Sequence, residues 1–259
     1  MSQGLHLHGI EKTYANGYRA LRGVHLRVPE RRLTTLLGPS GCGKSTLLKM
    51  IAGLLEPSDG RILLSRKPVQ EANADHQLSF VFQEATLMPW ATVEANVRLP
   101  LDLAGVPKAV STPRVMEALQ LVGLSKFAQQ RPRELSGGMQ MRVSIARGLV
   151  TQPQLLLMDE PFGALDEITR NRLDADLLKL WQQQGLTVVF VTHSITEAVF
   201  MSSRVVMMAA RPGRVVEDIR INAPYPRDDA FRTSPEFNEM VRHLHERLHS
   251  ASDHEEVQP

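Results

Sequence analysis

Gly38-Pro39-Ser40-Gly41-Cys42-Gly43-Lys44-Ser45 fills every fixed position of the pattern G-x-x-x-x-G-K-[ST]. Such a run works only in one setting. A strand must lead in, the glycines must let the backbone wrap a phosphate with its N–H groups, and a helix must lead out. The flanks comply. Leu33 to Leu37 is a short apolar run that suits a buried strand, and Lys44 to Leu54 reads as a helix. Gly38, Pro39, Ser40, Gly41, Cys42, Gly43, Lys44, Ser45 and Thr46 are therefore the candidate nucleotide-binding residues. Lys44 can reach the β- and γ-phosphates, and the Ser45 hydroxyl can ligate Mg²⁺. Cys42 stands near a helix N-terminus, where a thiol can be held at low pKa. The alternative is a small residue merely tolerated in the loop.

The rest of the chain supplies an α/β pattern for this loop to join. Val24 to Val28 alternates apolar and polar and stops at Pro29, as a half-buried strand does. Leu155 to Met158 and Val188 to Val191 are further buried-strand runs. Between them Leu173, Leu177, Leu180 and Trp181 fall on one helical face. From about Thr92 to Val150 helical patterns dominate. In the tail, Ser234 as N-cap and Pro235 at the first position open a helix with Phe237, Met240, Val241, Leu244 and Leu248 on one face. The expected division is one domain over 1–259. Residues 1–83 and 151–220 form its α/β core, 84–150 a helical insertion and 221–259 a tail with one helix. His6 and His8 alternate with Leu5 and Leu7, as the wet face of an edge strand would.

Leu155 to Pro161, LLLMDEP, brings a buried strand to two carboxylates. Asp159 is placed to hold the hydration shell of Mg²⁺. Glu160 points to the other face and can polarise an attacking water as general base. His193 closes the strand VVFVTH, and Gln83 follows LSFVF. Both therefore stand at strand ends, where γ-phosphate and metal chemistry would sit. LSGGMQMR, Leu135 to Arg142, is a second anion-holding design: a serine and two glycines before a helix.

Composition narrows the partners. The chain has 259 residues, 42% of them hydrophobic and 22% charged, with a net charge of +2. That is too weak a charge to argue for nucleic acid or an acidic membrane surface. Its single cysteine, Cys42, excludes an internal disulfide. No apolar run approaches the roughly 20 residues needed to span a bilayer. MSQGLHLHGI has no basic or apolar leader region, so the expected location is cytosolic.

GPSGCGKST, the Gln83 loop, LSGGM, LLLMDEP, the turn Gly163-Ala164-Leu165-Asp166 and His193, in this order, resemble the ATP-binding subunits of ABC transporters. The absence of an N-K-x-D run speaks against a small GTPase. The resemblance implies a P-loop NTPase (RecA-like) core with an antiparallel β subdomain and an inserted α-helical subdomain. It implies ATP and Mg²⁺ as ligands, with Ser45, Gln83 and Asp159 around the metal and Glu160, His193 and Gln83 as catalytic residues. Tyr14 resembles the aromatic that stacks on adenine, with Tyr18 as the weaker candidate. By the same resemblance two copies pair head to tail around two ATP molecules. Leu135, Ser136, Gly137 and Gly138 would then act on the nucleotide of the other copy, and Asp166 would link the two sites.

The loop beyond Gln83 carries Leu87, Met88 and Trp90, an apolar cluster that would dock a membrane permease subunit. The other reading is that the three cap the insertion's own core. LMPW, DEPFGALD, THSITEAV and RPGRV look like the importer branch for nitrate, sulfonates and taurine. The expectation is an ATPase at the cytoplasmic face of the membrane, with an external binding protein choosing the solute. A soluble cassette ATPase on DNA or ribosomes is the alternative, opposed by the lack of coiled-coil insertions and of a basic stripe. Three departures from the family stand out. Arg31-Arg32 replace a glycine turn, Met141 replaces a glutamine, and Ser202-Ser203 replaces Ala-Asp. In the tail, His245 and His249 have a metal-compatible spacing, within a group completed by His243 and His254. A solvated helix face is the simpler reading.

Overall fold

The computed structural model describes residues 4–74 and 77–253. Met1 to Gln3 and His254 lie outside the described residues. In chain order, β1 (Gly4–Thr13) and β2 (Arg19–Pro29) form a hairpin, and β3 (Leu33–Leu37) runs into the P-loop and α1 (Lys44–Ile51). Then come β4 (Asp59–Leu64), β5 (Lys67–Pro68), α2 (Val69–Ala74) and β6 (Leu78–Val81). The helical stretch holds α3 (Val93–Leu103), α4 (Lys108–Leu121) and α5 (Gly137–Leu149). After it follow β7 (Leu155–Asp159), α6 (Glu167–Gln184), β8 (Thr187–Thr192), α7 (Ile195–Met201), β9 (Arg204–Ala209) and β10 (Arg214–Arg220). The chain closes with α8 (Asp229–Arg232) and α9 (Pro235–Asp253).

Two sheets carry the fold. One is antiparallel in the order β2-β1-β4-β5. The other has the order β10-β9-β3-β8-β7-β6 and is parallel except for its β10 edge. Every residue of β3, β7 and β8 is buried, as parallel strands covered on both faces require. That is why their sequences show no wet face, apolar residues being joined only by the buried Thr34, Thr35, Thr187, Thr192 and Asp159, while β2 alternates Val24, Leu26 and Val28 inward with His25 and Arg27 outward. Because β7 and β8 are neighbours, Asp159 and His193 reach the same sheet edge, as expected from the strand ends.

Some expectations need correction. β1 is not an edge strand, since it lies between β2 and β4. Alternation reports which face is wet, not how many neighbours a strand has. α1 stops at Ile51, with Gly53 at φ +68°, and Leu54 is 58% exposed. At the unusual Arg31-Arg32 turn, Arg31 itself takes the left-handed conformation, φ +56°, that glycine would adopt freely. Ser202 and Ser203 find partners in their new setting. The Ser202 hydroxyl bonds the Thr35 hydroxyl, and Ser203 Oγ donates to Leu33 O at 3.0 Å. Met141 is buried.

No strand interrupts residues 84–150, where α3, α4 and α5 share one core with α6. In the tail, Ser234 Oγ accepts from Phe237 N at 3.1 Å and caps α9, whose Phe237 and Leu244 are buried against the parallel sheet's core. Among the described residues no group of at least three His, Cys, Asp or Glu side chains could hold a metal ion.

α8 and α7 meet α6 over a buried acidic pair. Arg232 Nη2 donates to Asp174 Oδ2 at 2.9 Å, and its guanidinium lies over the Phe200 ring. Asp174 Oδ1 and Glu197 Oε1 are buried without a hydrogen-bond partner. Burial, then the Asp174 charge, pushes the Glu197 carboxyl up to about 8 from its ordinary 4.5. The folded chain therefore holds a proton that the unfolded chain releases, and this contribution to stability is lost as pH rises from about 4.5 through about 8. Glu197→Gln, which mimics the protonated acid, is expected to fold. It should flatten the fall in urea midpoint between about pH 5 and pH 8 relative to the parent chain. An identical pH slope in both proteins would contradict the buried, protonated Glu197.

Candidate functional site

The site is assembled where β3, β7 and β8 end. The P-loop leaves β3 at Gly38 and enters α1 through Gly43, which sits at φ +91°. Two of its glycines are dictated by close approach. A Cβ on Gly38 would lie 2.4 Å from Met208 O, and one on Gly43 would lie 2.6 Å from Leu21 Cδ2. Gly41, by contrast, faces open space at φ +78°. Lys44 Nζ donates to Gly38 O at 2.8 Å and Pro39 O at 3.0 Å, so its ammonium lies inside the curve of the loop. Cys42 is fully buried, and burial pushes its thiol up. The low-pKa reading of Cys42 therefore fails: desolvation outweighs the neighbouring Lys44 charge.

Ser45 Oγ donates to Asp159 Oδ1 at 2.8 Å, tying α1 to the end of β7. Burial pushes the Asp159 carboxyl up, the Ser45 hydrogen bond opposes that, and the Glu160 charge adds to it. A hydroxyl and a desolvated carboxylate in contact are hard oxygen donors that fit Mg²⁺, whose charge would offset the cost of keeping Asp159 ionised. Glu160 takes a left-handed backbone, φ +46°, and so turns away from Asp159. Its Oε2 lies 3.1 Å from His193 Nδ1, and its Oε1 lies 3.8 Å from Lys44 Nζ. Lys44, Ser45, Asp159, Glu160 and His193 thus form one continuous constellation. Gln83 is exposed, with its amide nitrogen 3.8 Å from where a Cβ on Gly163 would stand.

Tyr14 is 39% exposed, its hydroxyl 3.4 Å from Thr46 Oγ1 and its ring stacked on Tyr18 with centroids 6.4 Å apart. It borders the P-loop helix, with the Lys12 ammonium over its ring at 5.5 Å.

The signature is built at the start of α5. Ser136 caps α5, its Oγ accepting from Met139 N at 3.3 Å. Gly138 is close-packed, since a Cβ there would lie 3.0 Å from Thr169 Cγ2. The contacts of Gly137 and Gly138 are with Leu165, Thr169 and Leu173, and none of Ser136's hydrogen bonds among the described residues reaches the P-loop. Asp166 caps α6 by accepting from Thr169 N at 3.0 Å, and that bond holds its carboxyl below the usual range. The apolar cluster divides. Leu87 packs partly buried on the core, Met88 is tied by its backbone to Asn96, and Trp90 is 74% exposed.

Two residues escaped the sequence reading. Arg147 on α5 donates to Ala85 O and Thr86 O, both at 2.9 Å, and so fastens the loop after Gln83 to the signature helix. Gly213 lies behind the P-loop, where a Cβ would meet Cys42 O at 2.2 Å. From sequence alone, RPGRV carries only the branch resemblance. The glycine inside it was the available signal.

A family model described as ABC transporter matches residues 21–163. An uncharacterised ABC transporter ATP-binding protein of Methanocaldococcus jannaschii is 50% identical over 88% of this chain and 84% of its own. The taurine import ATP-binding protein TauB of Rhizobium johnstonii is 45% identical over 93% of both chains. The aliphatic sulfonates import ATP-binding protein SsuB of Bacillus cereus is 42% identical over 90% of both. Among solved structures, cbiO1 of Clostridium perfringens, described as part of the ABC transporter complex cbiONQ, superposes with a TM-score of 0.79 at 27% identity. It covers 99% of this chain and all of that one. The ATP-binding cassette MJ0796, solved as a dimer in a post-hydrolysis state with ADP and Pi, gives 0.73 at 32% identity. It covers 85% of this chain and all of that one.

Gly213→Ala tests the backing of the P-loop. Overpacking against backbone costs about 1–3 kcal/mol. The variant is expected to melt several degrees lower and to bind ATP more weakly, as read by thermal shift with and without nucleotide. Unchanged melting and unchanged ATP affinity would show that Gly213 does not shape the loop.

Proposed function

The chain belongs to the ABC transporter family and is an ATPase, and from that premise we propose that it energises uptake of a small solute of the sulfonate, taurine or nitrate kind. The observation that carries the chemistry is the pairing, at one sheet edge, of Ser45 with Asp159 and of the next residue, Glu160, with His193 and Lys44.

In this reading the P-loop N–H groups and Lys44 hold the phosphates of ATP, with Tyr14 against the adenine. Ser45 and Asp159, with Gln83, would hold Mg²⁺, which when bound neutralises charge developing on the phosphates. Glu160 accepts the proton of the attacking water. Its left-handed backbone aims the carboxylate away from the metal side, and His193 holds it from behind at 3.1 Å. In this reading His193 also contacts the γ-phosphate from the end of β8.

Ser136, Gly137 and Gly138 supply N–H donors and a hydroxyl with no phosphate of their own to bind. A second copy, paired head to tail, brings them onto the γ-phosphate, and Asp166 couples the two sites. The dimeric cassette with ADP and Pi among the structural relatives supports this arrangement. ATP favours the closed dimer because only there does it gain the second set of donors. Trp90 is the anchor for a membrane permease subunit, and an external binding protein selects the solute. The relatives named for taurine and sulfonate import support that branch. No described helix is long and apolar enough to cross a membrane, so attachment is through the permease.

Glu160→Gln keeps the geometry and removes the base. It is expected to lower the ATPase rate by about a hundredfold to ten-thousandfold. It should also elute as a dimer in saturating Mg-ATP and as a monomer without nucleotide. A variant that stays monomeric with ATP would contradict the shared site.

A further inference from the structure

The far end of the parallel sheet carries a second basic cleft. Its volume is about 900 Å³, and Arg27, Arg32, Arg204 and Arg220 line it with a single acidic residue, Asp218. Arg204 satisfies Asp218: its Nε donates to Oδ1 at 2.5 Å, and its Nη2 bonds Oδ2. Arg27, Arg32 and Arg220 are exposed, and none of them forms an ion pair among the described residues. Three uncompensated guanidiniums therefore face one concavity, whose low-dielectric walls concentrate their field.

This cleft is not the nucleotide site. Thr34, at the start of β3, pairs with Arg204, whereas the P-loop begins at Gly38. At about 3.3 Å per residue the two sites are separated by roughly 13 Å along the strand. The volume lies within the roughly 300–1,000 Å³ of small-molecule sites and exceeds what a single monatomic ion would need. Tyr225 is the aromatic in the lining, and its ring is already engaged by Trp181 at 5.0 Å and by the Arg227 guanidinium at 4.1 Å. The cleft therefore offers forked donors for several oxyanions and no free ring for a base.

We propose that this cleft is a second anion site, built for a chain of phosphate groups and distinct from the P-loop. The phosphates would bridge Arg27 and Arg32 on the β2–β3 side to Arg220 at the end of β10. The site reads charge and oxygen geometry, so the chain can be a free oligophosphate or one carried on a nucleotide.

The test uses the full chain with Lys44→Ala, which disables phosphate binding at the P-loop, and inorganic tripolyphosphate as the probe in a calorimetric titration. Saturable one-to-one binding is expected, weakening as salt rises. Adding Arg32→Gln with Arg220→Gln should weaken it by about tenfold or more, and Arg27→Gln alone should weaken it independently. These side chains are exposed, so the variants should melt with their parent, which a thermal scan checks. Displacement of the probe by ATP would extend the site to nucleotide-borne phosphate chains, and failure to displace it would restrict the site to free oligophosphates. Either result keeps the cleft as a phosphate site. Absence of tripolyphosphate binding, or binding untouched by the arginine substitutions, overturns it.

Discussion

Parallel pairing of β3, β8 and β7 is the constraint on which the site depends. Leu37 pairs with Thr192, and Val191 pairs with Asp159, so all three strands end within a residue of one another. Parallel strands put all their carboxyl ends at one edge, and that edge is where α/β folds bind ligands. A slip of one residue in β7 would turn Asp159 to the other face and break its 2.8 Å contact with Ser45. The apolar side chains that bury β7 and β8 on both faces thus fix the register, and the register fixes the chemistry. Local geometry then separates the two carboxylates: Asp159 completes the strand, while Glu160 leaves it in a left-handed turn.

The loop that meets this edge is held from behind as tightly as it is open in front. Met208 O presses on Gly38, Leu21 on Gly43, and Gly213 on Cys42 O. Leu21 lies in β2 and Gly213 in the turn before β10, and Gly213 N donates to Ala20 O at 2.9 Å between them. The antiparallel hairpin therefore braces the P-loop, and Tyr14, just after its first strand, reaches Thr46. A second brace runs through Arg147, which joins the loop after Gln83 to the signature helix. The loop after Gln83 and the signature helix are thus mechanically linked within one copy.

Much of this was legible in the sequence because the signals were local. The P-loop, its strand and helix, the doubly buried runs of β7 and β8, and the capped tail helix each state their structure within a dozen residues. What was not legible depends on partners distant in the chain. His6 and His8 show a wet face but not that β4 pairs on the far side of β1. Cys42 at a helix start leaves open an activated thiol or a small tolerated residue, and its burial decides for the second. Gly213, Arg147, the left-handed Arg31 and the convergence of Arg27, Arg32 and Arg220 all follow from long-range packing. The signature reads as a second phosphate cradle from its local chemistry, and the fold adds that Gly137 and Gly138 pack against Leu165, Thr169 and Leu173.

The shared ATP site is the central claim, and its most direct test is vanadate-dependent photocleavage. Orthovanadate trapped with Mg-ADP occupies the γ-phosphate position, and ultraviolet light then cuts backbone lying beside it. Mass spectrometry of the fragments locates the cuts. The account predicts cleavage at two places, within Ser40 to Lys44 and within Ser136 to Gly138. Cleavage confined to the P-loop, with the signature intact, would contradict it.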